Sequence, residues 1–184
     1  MIQKANKDNI ENISNLLYEA MEDIAHTLTG EKSKSEVLKT LDFYIKMDIC
    51  RLSYNNIYTY IKDNKIVGVI LAYNSNDINS LDYPMLQHLK SKNIILDSFD
   101  KECFEDEFYI DSISVDSLYQ GQGIAKEFFV FIEEEAKKQG FKKLSLLVDL
   151  NKQKAKNLYK NLGFVENDIL VVSKNSFYHM IKAI

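Results

Sequence analysis

The chain has 184 residues, 46% hydrophobic and 27% charged, enough for a substantial core, and residues 1–184 are expected to form one domain. A net charge of −4 argues against a nucleic-acid binder, which would show a basic face. No apolar run is long enough for a membrane span, and residues 1–8 lack the apolar stretch of a signal peptide, so a cytoplasmic location without membrane partners is expected.

Cys50 and Cys103 lie far apart, without the paired spacing of a zinc site, and read as reduced thiols. His26, His88 and His179 are equally scattered, so no metal and no histidine-based pair is expected. Arg51 is the only arginine among many lysines, which singles it out.

Residues 2–5 read as a first strand. Asp8 can cap a helix from Asn9 onward. Ile10, Ile13, Leu16, Leu17, Ala20, Met21 and Ile24 recur at helical spacing, and the helix should run to Gly30. A second helix should start near Ser33 or Ser35, with Val37, Leu38, Leu41, Tyr44, Ile45 and Ile49 on one face. Residues 51–56 read as a polar loop. Residues 57–61 and 66–73 read as a hairpin around Asp63-Asn64-Lys65. Gly68 inside its second strand suggests a bulge or a close backbone approach.

The pattern weakens over residues 74–107. Residues 74–80 look like a loop, and a short helix is expected from Pro84 through Leu89. Asp97, Asp100, Glu102, Glu105, Asp106 and Glu107 make an acidic segment, read as an insertion between sheet strands. Such runs usually form solvated faces, although this one could also draw in a cationic amine. Residues 108–115 read as a buried strand and 122–139 as an amphipathic helix ended by Gly140. A strand over 144–148 and a helix over 152–161, closed by Gly163, follow. Phe164 opens the last strands, with 170–173 and 177–181 as the closing pair. Alternating strands and helices in this half give a mixed α/β or α+β fold with at least one right-handed crossover.

The most informative stretch is Tyr119-Gln120-Gly121-Gln122-Gly123-Ile124-Ala125, between the buried strand and the amphipathic helix. A helix N-terminus carries unpaired N–H donors and the positive end of the macrodipole. Two glycines let a ligand approach that backbone, which suits a phosphate or pyrophosphate. No Gly-Lys-Ser/Thr follows, so the loop is not a P-loop, and its glycine spacing does not fit a dinucleotide fingerprint.

Three features together carry a resemblance to the GNAT superfamily of acetyl-CoA-dependent N-acetyltransferases. Ile113-Ser114-Val115 followed by Gln120-Gly121-Gln122-Gly123-Ile124-Ala125 fits that family's acyl-CoA motif. Asn151 through Phe164, with Ala155, Leu158, Tyr159 and Gly163, is similar to its second signature. The order of elements agrees along the whole chain. The resemblance implies a mixed, mostly antiparallel sheet of about seven strands flanked by helices. It also implies an acetyl-CoA cosubstrate and an amine acceptor, a small molecule or a peptide. Attack is then direct, in a ternary complex. Dimers are common in the family, leaving a homodimer open. A non-catalytic acyl-CoA sensor on the same scaffold is the alternative.

The resemblance also implies roles. Gln120 to Ala125 bind the cofactor, the N–H groups of Gln122 to Ala125 holding the CoA pyrophosphate with Gly121 and Gly123 allowing its approach, and the backbone of Ile113, Ser114 and Val115 receives the pantetheine arm. Tyr159 gives a proton to the leaving thiolate, although a tyrosine there can also be simply packed. Asn151 matches the family's CoA-binding asparagine but stands four residues before Ala155, where the family more often has three, so a helix cap is equally open. Asp111 shares strand parity with Ile113, Val115 and Tyr109. It could serve as general base, bind a cationic substrate or face solvent. Arg51 and Tyr54 lie in a loop that often borders the acceptor pocket in this family.

Overall fold

The computed structural model describes residues 1–184 except Asn9 and Glu11. Seven strands form one sheet in the order β1-β2-β3-β4-β5-β7-β6. They are β1 (Ile2–Lys4), β2 (Ile57–Lys62), β3 (Lys65–Asn74), β4 (Phe108–Val115), β5 (Lys143–Asp149), β6 (Val165–Val172) and β7 (Asn175–Ala183). Every neighbouring pair is antiparallel except β4 and β5, which are parallel. The helices are α1 (Ile13–Met21), α2 (Asp23–Thr29), α3 (Lys34–Ile45), α4 (Ile78–Ser91), α5 (Ile124–Lys138) and α6 (Gln153–Asn161). Helix α5 makes the crossover that a parallel pair requires.

Helices cover both faces of the sheet, so β3 is buried along nearly its whole length. On one face α1, α2 and α3 pack on Val69, Leu71, Tyr73 and Tyr109. On the other, Phe128, Phe129 and Ile132 of α5 pack on Val67, Ile70, Ala72 and Phe108. The hairpin turn has positive φ at both Asp63 and Asn64, the backbone of a two-residue turn that matches strand twist. Gly68 adjoins a register shift in the β2–β3 pairing. It also meets α5 closely: a Cβ there would lie 3.1 Å from Phe128 and 3.2 Å from the Ser114 carbonyl. A side chain there would require the Phe128 ring or the Ser114 backbone to give by a few tenths of an ångström.

Several boundaries differ from the sequence expectation. The first helix does not follow Asp8, whose N–H meets Asn6 Oδ1. It starts at Ile13, and the expected start at Asn9 lies outside the described residues. It is also two helices, because Glu22 turns to φ 52°, ψ −124° and ends α1 while opening α2. Both pieces keep apolar side chains buried, so periodicity runs through the break unchanged. Ser33 caps α3: its Oγ accepts from Glu36 N–H and its hydroxyl donates to Glu36 Oε2. Ile49 lies beyond α3 and is exposed rather than part of its apolar face. Helix α4 starts at Ile78, so Pro84 sits inside it rather than opening it. The Leu81 carbonyl accepts from Arg51 N–H at 2.9 Å, a tertiary bond that ties α4 to the segment after α3. The closing strands extend to β6 and β7, a hairpin through Ser173 and Lys174.

The acidic segment before β4 is a solvated face only in part: Asp97, Asp100, Glu105 and Asp106 are exposed. Glu102 and Glu107 point inward, and Asp100 accepts from Ser173 N–H at 2.8 Å. Glu107 is 1% exposed and meets His179 Nε2 at 3.0 Å and Phe104 N–H at 3.0 Å. Burial would raise its proton affinity; those partners hold its carboxyl below the usual range instead.

Candidate active site

The loop between β4 and α5 has the form the sequence implied. Gly121 and Gly123 take φ of 75° and 85°, left-handed values that a side chain disfavours. A Cβ at either would meet nothing within 4 Å, so the backbone faces open space. Gly123 is the N-cap of α5 and provides no side-chain acceptor, so the first-turn donors are not occupied by a cap. Gln120 is turned back by its amide, which donates to the Val115 carbonyl at 2.9 Å. Gln122 accepts from Lys62 Nζ at 2.6 Å, and that ammonium also lies over the Tyr119 ring. Lys62 thus puts a positive charge beside the loop, which sequence reading missed because it arrives from the far hairpin.

From the loop, a cavity of about 350 Å³ runs along β4. Its cause is a break in the sheet. Strands β4 and β5 pair only over Phe108–Ile110 and Leu144–Leu146, then part. The β4–β3 register shifts at the same place: Leu71 opposes Ser112 and Ala72 opposes Ile110, leaving Asp111 as the extra residue. A bulge of this kind bends a strand and re-aims its side chains. It also overturns the parity expected of β4. Tyr109 belongs to the core beneath α1–α3, whereas Ile113 and Val115 pack with α5. Asp111 stays on the Tyr109 side. Beyond Ile110 the backbone of Ser112 to Val115 lines the cavity, with its β5-facing edge unpaired.

Tyr159 of α6 lines the opposite wall. Its ring stands edge-on to Phe129 and Phe164, at centroid distances of 5.6 and 6.2 Å. Burial pushes its phenol pKa up, so the hydroxyl stays protonated at neutral pH. Asn151 is exposed in the turn before α6, where its N–H bonds Asp149 Oδ1. Lys152, not Asn151, is the N-cap residue of α6. Asp149, Lys152 and Ala155 line the cavity from this segment and Asn151 does not.

The other end of the cavity is built from side chains far apart in sequence. Arg51 is 1% exposed. Its Nε and Nη2 donate to the two oxygens of Asp82 in α4, at 2.7 and 2.9 Å. Its Nη1 donates to Glu102 Oε1 at 2.7 Å and lies 3.9 Å from Asp111 Oδ2. Tyr73 donates to Asp111 Oδ2 at 2.7 Å, and Ser112 donates to Oδ1 at 2.9 Å. Burial first, and then the nearby Glu102 carboxylate, raise the Asp111 pKa to about 6 against the pull of Arg51 and the two hydroxyls. Arg51 is therefore an internal counter-ion at the cavity wall rather than part of a polar surface loop. Tyr54, its neighbour in sequence, is not among the cavity-lining residues; its hydroxyl bonds Asp48 at 2.8 Å.

Glu102, Tyr73 and Asp82 were not singled out for this site by the sequence. No local pattern marks them, since they reach one point from an irregular segment, a core strand and a helix. Both cysteine thiols are buried, and burial pushes each pKa up to about 12.

A family model described as the acetyltransferase (GNAT) family matches residues 16–164. A curated relative from Bacillus subtilis (strain 168), named as an uncharacterized N-acetyltransferase YycN, is 33% identical over 70 residues. That match spans 38% of this chain and 45% of the relative. A crystal structure titled as an acetyltransferase superposes with a TM-score of 0.82 at 26% identity, covering 100% of this chain and 98% of the other. An N-acetyltransferase from Staphylococcus aureus Mu50 shares the fold at a TM-score of 0.77 and 24% identity, covering 98% and 99%. The family model covers most of the chain, including the parted strands, the glycine loop and Tyr159, and the chain belongs to the acetyltransferase (GNAT) family.

Proposed function

We propose that this protein transfers an acetyl group from acetyl-CoA to a primary amine, on a small molecule or a peptide, by direct attack in a ternary complex. One observation carries the reading. The β4–β5 gap joins an open anion-binding helix terminus at one end to a buried carboxylate of raised pKa at the other. A pyrophosphate suits the first, through backbone donors and the α5 dipole. The pantetheine arm suits the unpaired β4 edge, as an added strand.

In this reading the acceptor ammonium gives a proton to Asp111. The amine then attacks the thioester carbonyl, and backbone N–H groups of the β4 edge meet the developing oxyanion. Attack completes the carbon–nitrogen bond, and collapse of the oxyanion then breaks the carbon–sulfur bond. Tyr159 protonates the departing thiolate, the nitrogen loses its second proton to solvent, and Tyr159 regains one from solvent. A carboxyl with a pKa about 6 is deprotonated at neutral pH yet basic enough to matter. The buried, protonated thiols of Cys50 and Cys103 favour direct attack over an acyl-enzyme.

The test is CoA release from acetyl-CoA over a panel of amines, polyamines, aminoglycosides and peptides with free N-termini. Tyr159→Phe is expected to lower kcat about 100-fold, while acetyl-CoA affinity stays within about twofold. Undiminished turnover in that variant would remove Tyr159 as the acid. Acetyl-CoA binding with no release on any amine would favour a sensor.

A further inference from the structure

Three carboxylates converge on one guanidinium at the acceptor end. Asp82 takes two donor positions of Arg51 by a bidentate pair, which leaves Nη1 for the other two. Glu102 Oε1 and Asp111 Oδ2 lie 2.7 and 3.9 Å from that nitrogen. Each also takes one tyrosine hydroxyl: Tyr109 donates to Glu102 Oε2 at 2.9 Å, and Tyr73 donates to Asp111 Oδ2 at 2.7 Å. The two rings stand edge-on at 5.7 Å. One positive charge therefore faces three acids at a largely buried cavity wall, and Glu102 holds the better geometry. Asp111 is left as the carboxylate without a close cation, beside the charge of Glu102.

We propose that Glu102, carried into the cavity by the segment before β4, is a positioning residue that acts through Arg51 and Asp111 to keep Asp111 able to take the acceptor's proton. The proposal rests on the reading of Asp111 as the base. Glu102 draws the shared Arg51 nitrogen toward itself and adds its own negative charge. Both effects favour the protonated form of Asp111 and so strengthen it as a base. Tyr73 and Ser112 act in the opposite direction, since each donates to the carboxylate. The other titratable groups facing Asp111 are Tyr109 on β4 and Cys103 beside Glu102, both held neutral by burial. Asp82 lies behind the guanidinium, and Glu19 of α1 lines the same cavity. The acidic segment is thus tied to catalysis through one residue rather than through its net charge.

The experiment is the pH dependence of kcat/KM for wild type, Glu102→Gln, Tyr73→Phe and Asp111→Asn, with an amine found active in the panel. Glutamine keeps an acceptor for Arg51, and the Tyr109 hydroxyl can turn to accept from its amide. Thermal unfolding and acetyl-CoA binding confirm that each variant is folded. Glu102→Gln is expected to move the acidic limb down by about one pH unit, the size of a like-charge effect over several ångströms at a partly buried site. Tyr73→Phe is expected to move the limb up. A general loosening of the site would move both the same way. If Glu102→Gln does not fold, Glu102→Ser removes the same charge and carries the same expectation. An unmoved limb in the charge-removed variant, with the limb lost in Asp111→Asn, overturns the proposal and leaves Asp111 as base. A limb that survives in Asp111→Asn overturns the base assignment itself.

Discussion

The two ends of the cavity are made of different material. The donor end is backbone: a glycine loop, the first turn of α5 and one strand edge, all within residues 112–125. The acceptor end is side chains: Arg51, Tyr73, Asp82, Glu102 and Asp111, from five separate segments. The donor loop is open and carries its positive potential on peptide dipoles and the Lys62 ammonium beside it. The acceptor cluster is largely buried at the cavity wall and carries an excess of negative charge. A backbone site needs only the right local conformation, and local conformation is written in neighbouring residues. A side-chain site needs the whole fold before any two members meet.

Gly123→Glu should break the donor end alone and is the largest effect expected. A side chain at φ 85° costs about 1–2 kcal/mol of backbone energy. The new carboxylate would also stand where an anion is to bind. Loss of acetyl-CoA affinity by about 100-fold or more is expected by calorimetry, with the fold retained, since a Cβ there meets nothing within 4 Å. Wild-type affinity would remove the pyrophosphate assignment.

Arg51→Met should break the acceptor end and spare the donor end. It removes the only cation among three buried carboxylates, and breaking a buried ionic cluster costs about 3–5 kcal/mol. A drop in Tm is expected at neutral pH. At low pH, where protonated carboxyls no longer need the guanidinium, the drop should shrink. Where the variant is folded, acetyl-CoA affinity should stay near wild type. A parallel loss of acetyl-CoA affinity would mean that the two ends are not separable.

The contrast also explains which parts of the molecule were legible in the sequence. The strand–loop–helix unit and the Asn151–Phe164 segment could be read because their signals are contiguous. The hairpin was legible from Asp63-Asn64 for the same reason. Asp111 was found, but its direction was not: one extra residue in β4 flips the alternation, and alternation carries no mark of the flip. The break at Glu22 was hidden because both halves keep the same apolar period. Pro84 misled because proline is read as a helix opener, whereas α4 begins six residues earlier at Ile78 and runs through it. Glu102 was hidden in a run whose net charge suggested solvent. Its burial depends on Arg51, which lies about fifty positions earlier in the chain.

The finest test of the contrast is Tyr54→Phe. Sequence proximity placed Tyr54 with Arg51 at the acceptor pocket; the fold separates them. Arg51 turns inward to Asp82, while Tyr54 reaches Asp48, whose side chain is 69% exposed, beside Lys7. Removing that hydroxyl gives up one hydrogen bond at the surface, which water replaces, so a stability change within about 0.5 kcal/mol is expected. Activity should remain within about twofold across the amines that serve as acceptors. A rise in KM for the acceptor alone, with acetyl-CoA untouched, would extend the acceptor end past Arg51 to the surface. It would also favour a peptide over a small amine, because only an extended acceptor could touch Tyr54 while its amine lies at Asp111.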